Sequence, residues 1–442
     1  MNPELQRNLW LEVTLHRLVL IPGVIFASAT LLHAADPSGT AINKMAMIGF
    51  LVATMVWGAR QAANSVLEEA RTRTWDIQRM CALSPWRMAW GKLLGATTMS
   101  WYAGLCCLLL FLGSGGSSSA RDGVMMTVMV IAAALLAHAL ALIGALVGLH
   151  RGNGLQSRFA NMVVVALLMF MLPNVMNIID PRGTVVWYEI SIQRLPFGTI
   201  TAVLFAAWAV LGATRAMSME LKIGTRPAAW LVFSVFVTVF AAGFAGVAAT
   251  PSLALLRCLC ATLCLTAIVQ SYIAAFAYPS DPVQLRRSER AFAMQRYRRA
   301  LEELPLWLVS AALALAIALL AATLGSAPEI SNQRLNNLGP VSLAAALMML
   351  RDLALLSYVG MKVRRGVPEA TTLIYIGMLD GLLPALLPRI GLGSLTPLFW
   401  PPFFTAPLTA ISVLSLHCAV ALFLALHTYR RLQIGLNETG GG

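Results

Sequence analysis

Leu83-Ser84-Pro85-Trp86-Arg87-Met88-Ala89-Trp90-Gly91-Lys92-Leu93-Leu94-Gly95 decides how this chain is read. Ser84 suits a helix N-cap, where a hydroxyl accepts from an otherwise free backbone N–H. Pro85 suits the first helical position, where its missing N–H costs nothing. A helix is therefore predicted to start at Pro85 and to run without a break into the apolar residues that follow Lys92. Trp86 and Trp90 are four apart and share one face of it, a pattern that fits the headgroup layer of a bilayer. Upstream, the long, polar, basic segment Arg60 to Lys92 separates two very apolar runs. A chain that only had to turn round would use a few residues here.

The rest of the composition says why the runs on either side are apolar. Of the 442 residues, 58% are hydrophobic and 12% are charged, and the mean hydropathy is +0.74. Soluble proteins carry about 25% charged residues. Lipid is therefore the solvent, and backbone groups in lipid must be paired within the segment, so the spans are helices. No alternating strand pattern suggests a barrel. Twelve spans are predicted, near 18–35, 45–59, 93–113, 124–149, 159–180, 197–214, 228–249, 252–278, 304–325, 341–361, 369–387 and 406–428. The first lacks a small-residue cleavage site and follows a long polar lead, so it is read as a retained span and not a signal peptide.

Basic residues set the orientation. Of 32 Lys and Arg, Lys44, Arg121, Arg182, Arg194, Arg334 and Arg389 fall in outer loops and Arg257 and Arg351 within spans; the other 24 lie inside if the N-terminus is inside. Both termini are then cytoplasmic. The net charge of +13 follows from this rule and gives no nucleic-acid signal, because the charges are dealt out among several inner loops. Cys258, Cys260 and Cys264 share one helix without a His or carboxylate at ligand spacing, which reads as packing and not as a metal site.

An internal repeat has a period near 211. His138-Ala139-Leu140-Ala141-Leu142 precedes Pro173 by 35 residues, and Arg351-Asp352-Leu353-Ala354-Leu355 precedes Pro384 by 33; Pro196 and Pro407 each follow by a further 23. The expected architecture is an all-α integral membrane protein of two pseudo-repeated six-helix halves, residues 1–215 and 216–442. An even number of spans per half makes their orientation parallel, with a pathway between them.

Before the Ser-Pro turn, Thr72 to Ala82 is too short to span and is predicted to lie on the cytoplasmic surface, docked either on lipid alone or on a partner. Here a family resemblance enters. Thr74-Trp75-Asp76-Ile77-Gln78-Arg79-Met80, then Leu83-Ser84-Pro85-Trp86-Arg87, then Gly91-Lys92-Leu93-Leu94-Gly95, resembles the inner loop of type-2 ABC exporter permeases. The polar lead Glu4 to Arg17 is similar to that family's amphipathic connecting helix, and Asp180 to Pro196 to its outer re-entrant region. The likeness covers about 215 residues; the second half shares architecture only. Arg73-Thr74 stands where the family usually has Gly-Thr, and Pro279 to Glu303 has neither the Ser-Pro turn nor the Gly-Lys pair. That second segment docks either a partner or lipid headgroups.

The resemblance implies a permease subunit without its own nucleotide site, driven by two separate ATP-binding cassette ATPases that bind ATP and magnesium. No cofactor is bound by this chain. It implies a bacterial inner-membrane location, an accessory or periplasmic partner docking on short loops, and Trp75, Asp76, Arg79, Leu83, Ser84, Pro85 and Arg87 as the residues coupling to the ATPases. The residues agree on one point: no Gly-x-x-x-x-Gly-Lys-Ser/Thr phosphate loop occurs, since Leu93 follows Gly91-Lys92. The alternatives are a twelve-span secondary transporter of the major-facilitator kind, which would want a short second-to-third loop, and a membrane-embedded transferase, which would want paired carboxylates or His near a membrane surface. Asp180, Glu189 and Asp281 are scattered.

Arg351 and Asp352 fall in the tenth span and Asp380 in the eleventh. A charge at mid-bilayer costs about 2.5–3.5 kcal/mol on insertion scales, so partners are expected. Arg351 is read either as neutralised by Asp380 or Asp352, or as part of a polar substrate or ion route. His138, at the repeat position of Arg351, reads as a satisfied buried histidine, and Arg257 is expected to snorkel to the outer surface.

Overall fold

A computed structural model describes residues 2–80, 83–117, 119–150, 183–223, 227–245, 252–278, 282–325, 337–363, 368–401 and 403–439. The predicted span 159–180 lies outside the described residues, as do Asp180 and Asp281. Among those described, nine helices are long and apolar enough to cross a membrane, and a tenth span is a bent helix pair. The chain divides into two compact units, Met1–Val185 with Ser191–Thr225, and Val186–Ile190 with Arg226–Gly442.

In the first unit, α1 (Pro3–Glu12) is a short amphipathic helix and α2 (Leu15–Ala35) an apolar one. A third helix, α3 (Thr40–Arg71), runs from an apolar half into a polar one. The short α4 (Thr74–Met80) follows, then α5 (Pro85–Gly95), α6 (Thr98–Gly113), α7 (Ala120–His150) and, after a hairpin, α8 (Arg194–Glu220). Helix α3 packs on α6 and α7, and α7 packs on α8. Both helices of the α7–α8 pair bury small side chains: Ala137, Ala141 and Ala145 on one, Ala206, Ala209, Ala213 and Ala216 on the other, and Ile143 of α7 packs over Gly212 of α8. Small residues let backbones approach closely where lipid supplies no hydrophobic drive between helices. Large apolar side chains such as Leu105, Leu109 and Phe26 point outward instead, as a lipid solvent permits.

Helix α5 does begin at Pro85, with Ser84 as its N-cap; the Ser84 hydroxyl accepts from the Arg87 N–H at 3.3 Å. It does not run unbroken into the next span. Gly91–Gly95 is a π-turn, and α5 and α6 meet at 51°. The cause is local. The π-turn releases backbone carbonyls, and side chains take them up: Thr97 Oγ1 donates to Leu93 O at 2.5 Å, and Thr98 Oγ1 donates to Gly95 O at 2.7 Å. Hydroxyls that compete for the helix ladder, beside a π-turn, are a recognised origin of sharp bends.

Among the described residues the all-α pattern has one exception. Strands β1 (Thr184–Trp187) and β2 (Ile190–Gln193) form a hairpin, with Tyr188 and Glu189 both at positive φ as a two-residue turn requires.

In the second unit, α9 (Ala228–Ala242) is short; the hairpin tip packs on its end, where Trp187 Nε1 donates to Phe240 O at 3.0 Å. Then come α10 (Ser252–Ala277), α11 (Pro282–Ala293), α12 (Tyr297–Glu302), α13 (Leu306–Thr323), α14 (Leu338–Lys362), α15 (Pro368–Ile390) and α16 (Pro407–Thr439). Helix α10 packs on α13 and α14, and α14 packs on α16. Arg257 reaches the end of the neighbouring helix α13. It is buried, and its Nε and Nη2 donate to Leu324 O at 3.1 and 2.6 Å, so the guanidinium caps the carbonyl end of α13. A cation at that end also meets the negative pole of the helix dipole.

Candidate functional site

Two polar clusters interrupt the apolar packing, one in each unit. The first is built at the polar end of α3, where four chain segments converge. Lys92, at the π-turn of α5, is fully buried among them. Its ammonium contacts Glu69 of α3 and lies 3.4 Å from Glu4 Oε1 of α1. Arg7 closes the ring, 3.0 Å from Glu4 and also paired with Glu69. Two cations and two carboxylates leave the set neutral, so the enclosed Lys92 and Glu4 are both paired while Arg7 stays partly exposed. Trp75 of α4 completes it from below: its ring centroid is 5.4 Å from Lys92 Nζ, within cation–π range.

Why α1 can lie so close is written in the glycines. A Cβ on Gly91 would fall 2.5 Å from Glu4 Cγ, and one on Gly95 would fall 2.9 Å from Asn8 Cβ. Asn8 then reaches back to bond Gly91 O at 3.3 Å, and Asn2 Nδ2 donates to Arg87 O at 2.6 Å. The Gly-Lys-Leu-Leu-Gly stretch is thus a seat for the N-terminal helix, with the lysine as its pin.

The predicted coupling residues divide by surroundings. Trp75, with 3% of its surface exposed, is a core residue that anchors α4. Leu83 is half-buried against the same core. Pro85 starts α5 and Ser84 caps it. Asp76, Ser84 and Arg87 are exposed, and the side chain of Arg79 lies outside the described residues. The apolar residues on the exposed side of α4 are Ile77 and Met80, 61% and 80% exposed. Sequence reasoning missed Glu4, Arg7, Asn8, Glu69 and Lys92 as one cluster. A signal existed for part of it: Glu4 and Arg7 are one turn apart on an amphipathic lead, and Lys92 stands against an apolar run.

The second cluster lies within α14, α15 and α10. Arg351 donates to Asp380 through Nη1 (2.9 Å) and Nη2 (2.5 Å), and to Asp352 Oδ1 through Nε (2.8 Å) and Nη2 (2.7 Å). The Tyr272 hydroxyl of α10 donates to Asp352 Oδ2 at 2.6 Å. Both predicted partners of Arg351 are therefore engaged at once, and Tyr272 is a member the sequence did not reveal. His138, at the repeat position, is buried as expected but only half satisfied: among the described residues its Nδ1 has no hydrogen-bond partner. It is fully enclosed, its Nε2 is 2.7 Å from Thr54 O, and Trp101 lies edge-on at 5.0 Å. A Cβ on Gly58 would fall 2.1 Å from that Nε2, so Gly58 makes room for the ring.

A regularity links these sites. The described residues contain three π-turns, Val52–Gly58, Gly91–Gly95 and Gly377–Leu382. They carry Thr54 with its bond to His138, Lys92 with its glutamates, and Asp380 with Arg351. Single π-turns inside α-helices are frequent at functional sites because they free a backbone group or re-aim a side chain.

Helices of this length and polarity, packed through small residues and presenting large apolar ones outward, make the chain a multi-pass, all-α membrane protein. Compared with known proteins, it matches no family model, no curated protein and no solved structure.

Proposed function

We propose that this chain is the transmembrane permease subunit of an ABC transporter, exporting an unidentified substrate at the expense of ATP hydrolysed by two separate ATPase subunits. It sits in the bacterial cytoplasmic membrane with both termini inside, as twelve spans in two six-span halves. The observation that carries this reading is the neutral Glu4–Arg7–Glu69–Lys92 ring. It ties the N-terminal helix, the end of the second span, the short α4 through Trp75, and the start of the third span into one body. A push on the exposed side of α4, at Asp76, Ile77 and Met80, would reach two spans without loss in flexible loops. A motor on the cytoplasmic side needs that linkage; a mere reversal of chain direction does not.

Matching helix pairs support the two-half architecture: second with third, second with fourth and fourth with sixth spans in the first unit, eighth with ninth, eighth with tenth and tenth with twelfth in the second. An ion-coupled secondary transporter is the second reading, favoured by the buried Arg351–Asp352–Asp380 cluster. Affinity purification of the full chain from its native membrane tests the choice. The expected result is a stoichiometric ATP-binding cassette subunit, lost on Arg87→Glu or Asp76→Lys while the chain stays folded. Recovery of a folded chain with no such subunit, together with uptake that follows an ion gradient, would overturn the proposal.

A further inference from the structure

The second cluster holds more negative than positive charge. One guanidinium serves two carboxylates: Arg351 Nη2 lies 2.7 Å from Asp352 Oδ1 and 2.5 Å from Asp380 Oδ2, which keeps those oxygens within about 5.2 Å of each other. Tyr272 brings a hydroxyl and no charge. With both carboxylates ionised, the cluster carries one net negative charge inside membrane-spanning helices. Close carboxylates in a poorly solvated site do not both ionise readily, and one proton shared between them removes the imbalance. The other titratable groups electrostatically coupled to the cluster are His417 and Cys418, both on α16.

The two carboxylates are not equivalent. All of Asp352 is enclosed, and both of its oxygens accept bonds, three in total. Asp380 accepts two, and its side chain is the more accessible, 9% against 5%. It also stands in the π-turn Gly377–Leu382, between Gly377 and Gly381, and a Cβ on either glycine would meet nothing within 4 Å. This stretch of α15 is thus not packed against by the described residues at its two glycines.

We propose that Asp352 and Asp380 together form a proton-binding site that holds one exchangeable proton between them, Asp380 being the more accessible member of the pair. A proton from water adds to a carboxylate oxygen and returns to water; no other bond changes. The pair titrates as a unit. The inference stands on this cluster alone and does not depend on whether an ATPase drives the chain.

Infrared difference spectroscopy of the purified full chain, recorded from mildly acidic to mildly alkaline pH, tests it. The expected result is a protonated-carboxyl C=O band that disappears as pH rises, with a matching gain of carboxylate signal. Either Asp380→Asn or Asp352→Asn abolishes that band, because the remaining carboxylate then matches the single guanidinium. Asp380→Glu keeps a titrating band at a shifted frequency, which serves as the assignment if the Asn variants do not fold. His417→Gln leaves the band in place. A titrating band that survives in both Asn variants, or is unshifted in Asp380→Glu, overturns the proposal. So does the absence of any such band with saturable thermal stabilisation by sodium or potassium at fixed pH, which would assign the site to a metal cation. Absence of the band without cation stabilisation overturns it equally.

Discussion

Replacing Lys92 with Met removes the pin that holds α1 to the membrane helices while keeping the volume of its stem. Lys92 is buried completely, and the Glu4 and Glu69 side chains are only 5% and 12% exposed, so water solvates the carboxylates it leaves behind poorly. Removing one partner of a buried pair costs about 3–5 kcal/mol when the other is left uncompensated. Here compensation is partial: Glu4 keeps Arg7 at 3.0 Å and Asn8 at 3.3 Å, and Glu69 keeps Arg7. The remaining loss is a charge-assisted bond, worth about 1.5–3 kcal/mol, and the contact with Trp75. Lys92→Met is therefore expected to destabilise the folded chain by about 2–3 kcal/mol. The double variant Lys92→Met/Glu69→Gln returns the ring to neutrality, so a mutant cycle should show a favourable coupling of at least about 1 kcal/mol. Denaturation of the solubilised protein followed by tryptophan fluorescence reads both, and limited proteolysis reads release of α1. A Lys92→Met cost below about 0.5 kcal/mol, or strict additivity in the cycle, would show that the ring does not hold these segments together.

Gly91→Ala should expose α1 to protease and lower stability by about 1–3 kcal/mol, the range for overpacking, since its Cβ would meet Glu4 Cγ at 2.5 Å and the Leu5 backbone at 3.2 Å; protection equal to wild type would contradict the seat. In the second unit, Arg351→Met should be the most damaging single change, about 3–5 kcal/mol, because it strands two carboxylates. Asp380→Ala should cost less, about 1–3 kcal/mol for the guanidinium donors it frees, and Arg351→Met/Asp380→Ala should recover part of the folding yield lost in Arg351→Met; equal yields for the two single variants would argue against one guanidinium serving both. Between α2 and α3, Asp36 accepts from Ser38 (Oγ 2.5 Å), Thr40 (Oγ1 2.8 Å) and the Ala41 N–H (3.1 Å), which holds its carboxyl well below the usual carboxylate range. A depressed value stabilises the fold above the unfolded-state pKa of about 3.9 and loses that contribution as pH falls further toward the folded-state value. Asp36→Ala should thus lower the melting temperature by an amount that is constant through neutral pH and shrinks in acid; a difference that fades near neutrality would refute this.

Hydropathy alone determined where the helices lie, because each 20-residue apolar run must satisfy its own backbone in lipid. The described helices fall on the predicted segments, and Ser84-Pro85 fixed the start of α5 because an N-cap is made by residues three apart. What only the tertiary structure decided was partnership. Glu4 and Lys92 are 88 positions apart, Tyr272 and Asp352 are 80 apart, and no local rule says which buried charge meets which. That is why Trp75 turned out to be a core anchor, why Arg257 caps a neighbouring helix, and why Arg351 found two carboxylates when one was enough to neutralise it. The seat at Gly91 and Gly95 belongs to the same class. Its glycines read as a simple continuation of a helix until the N-terminal helix, arriving from the far end of the sequence, is seen to occupy the space their missing side chains leave.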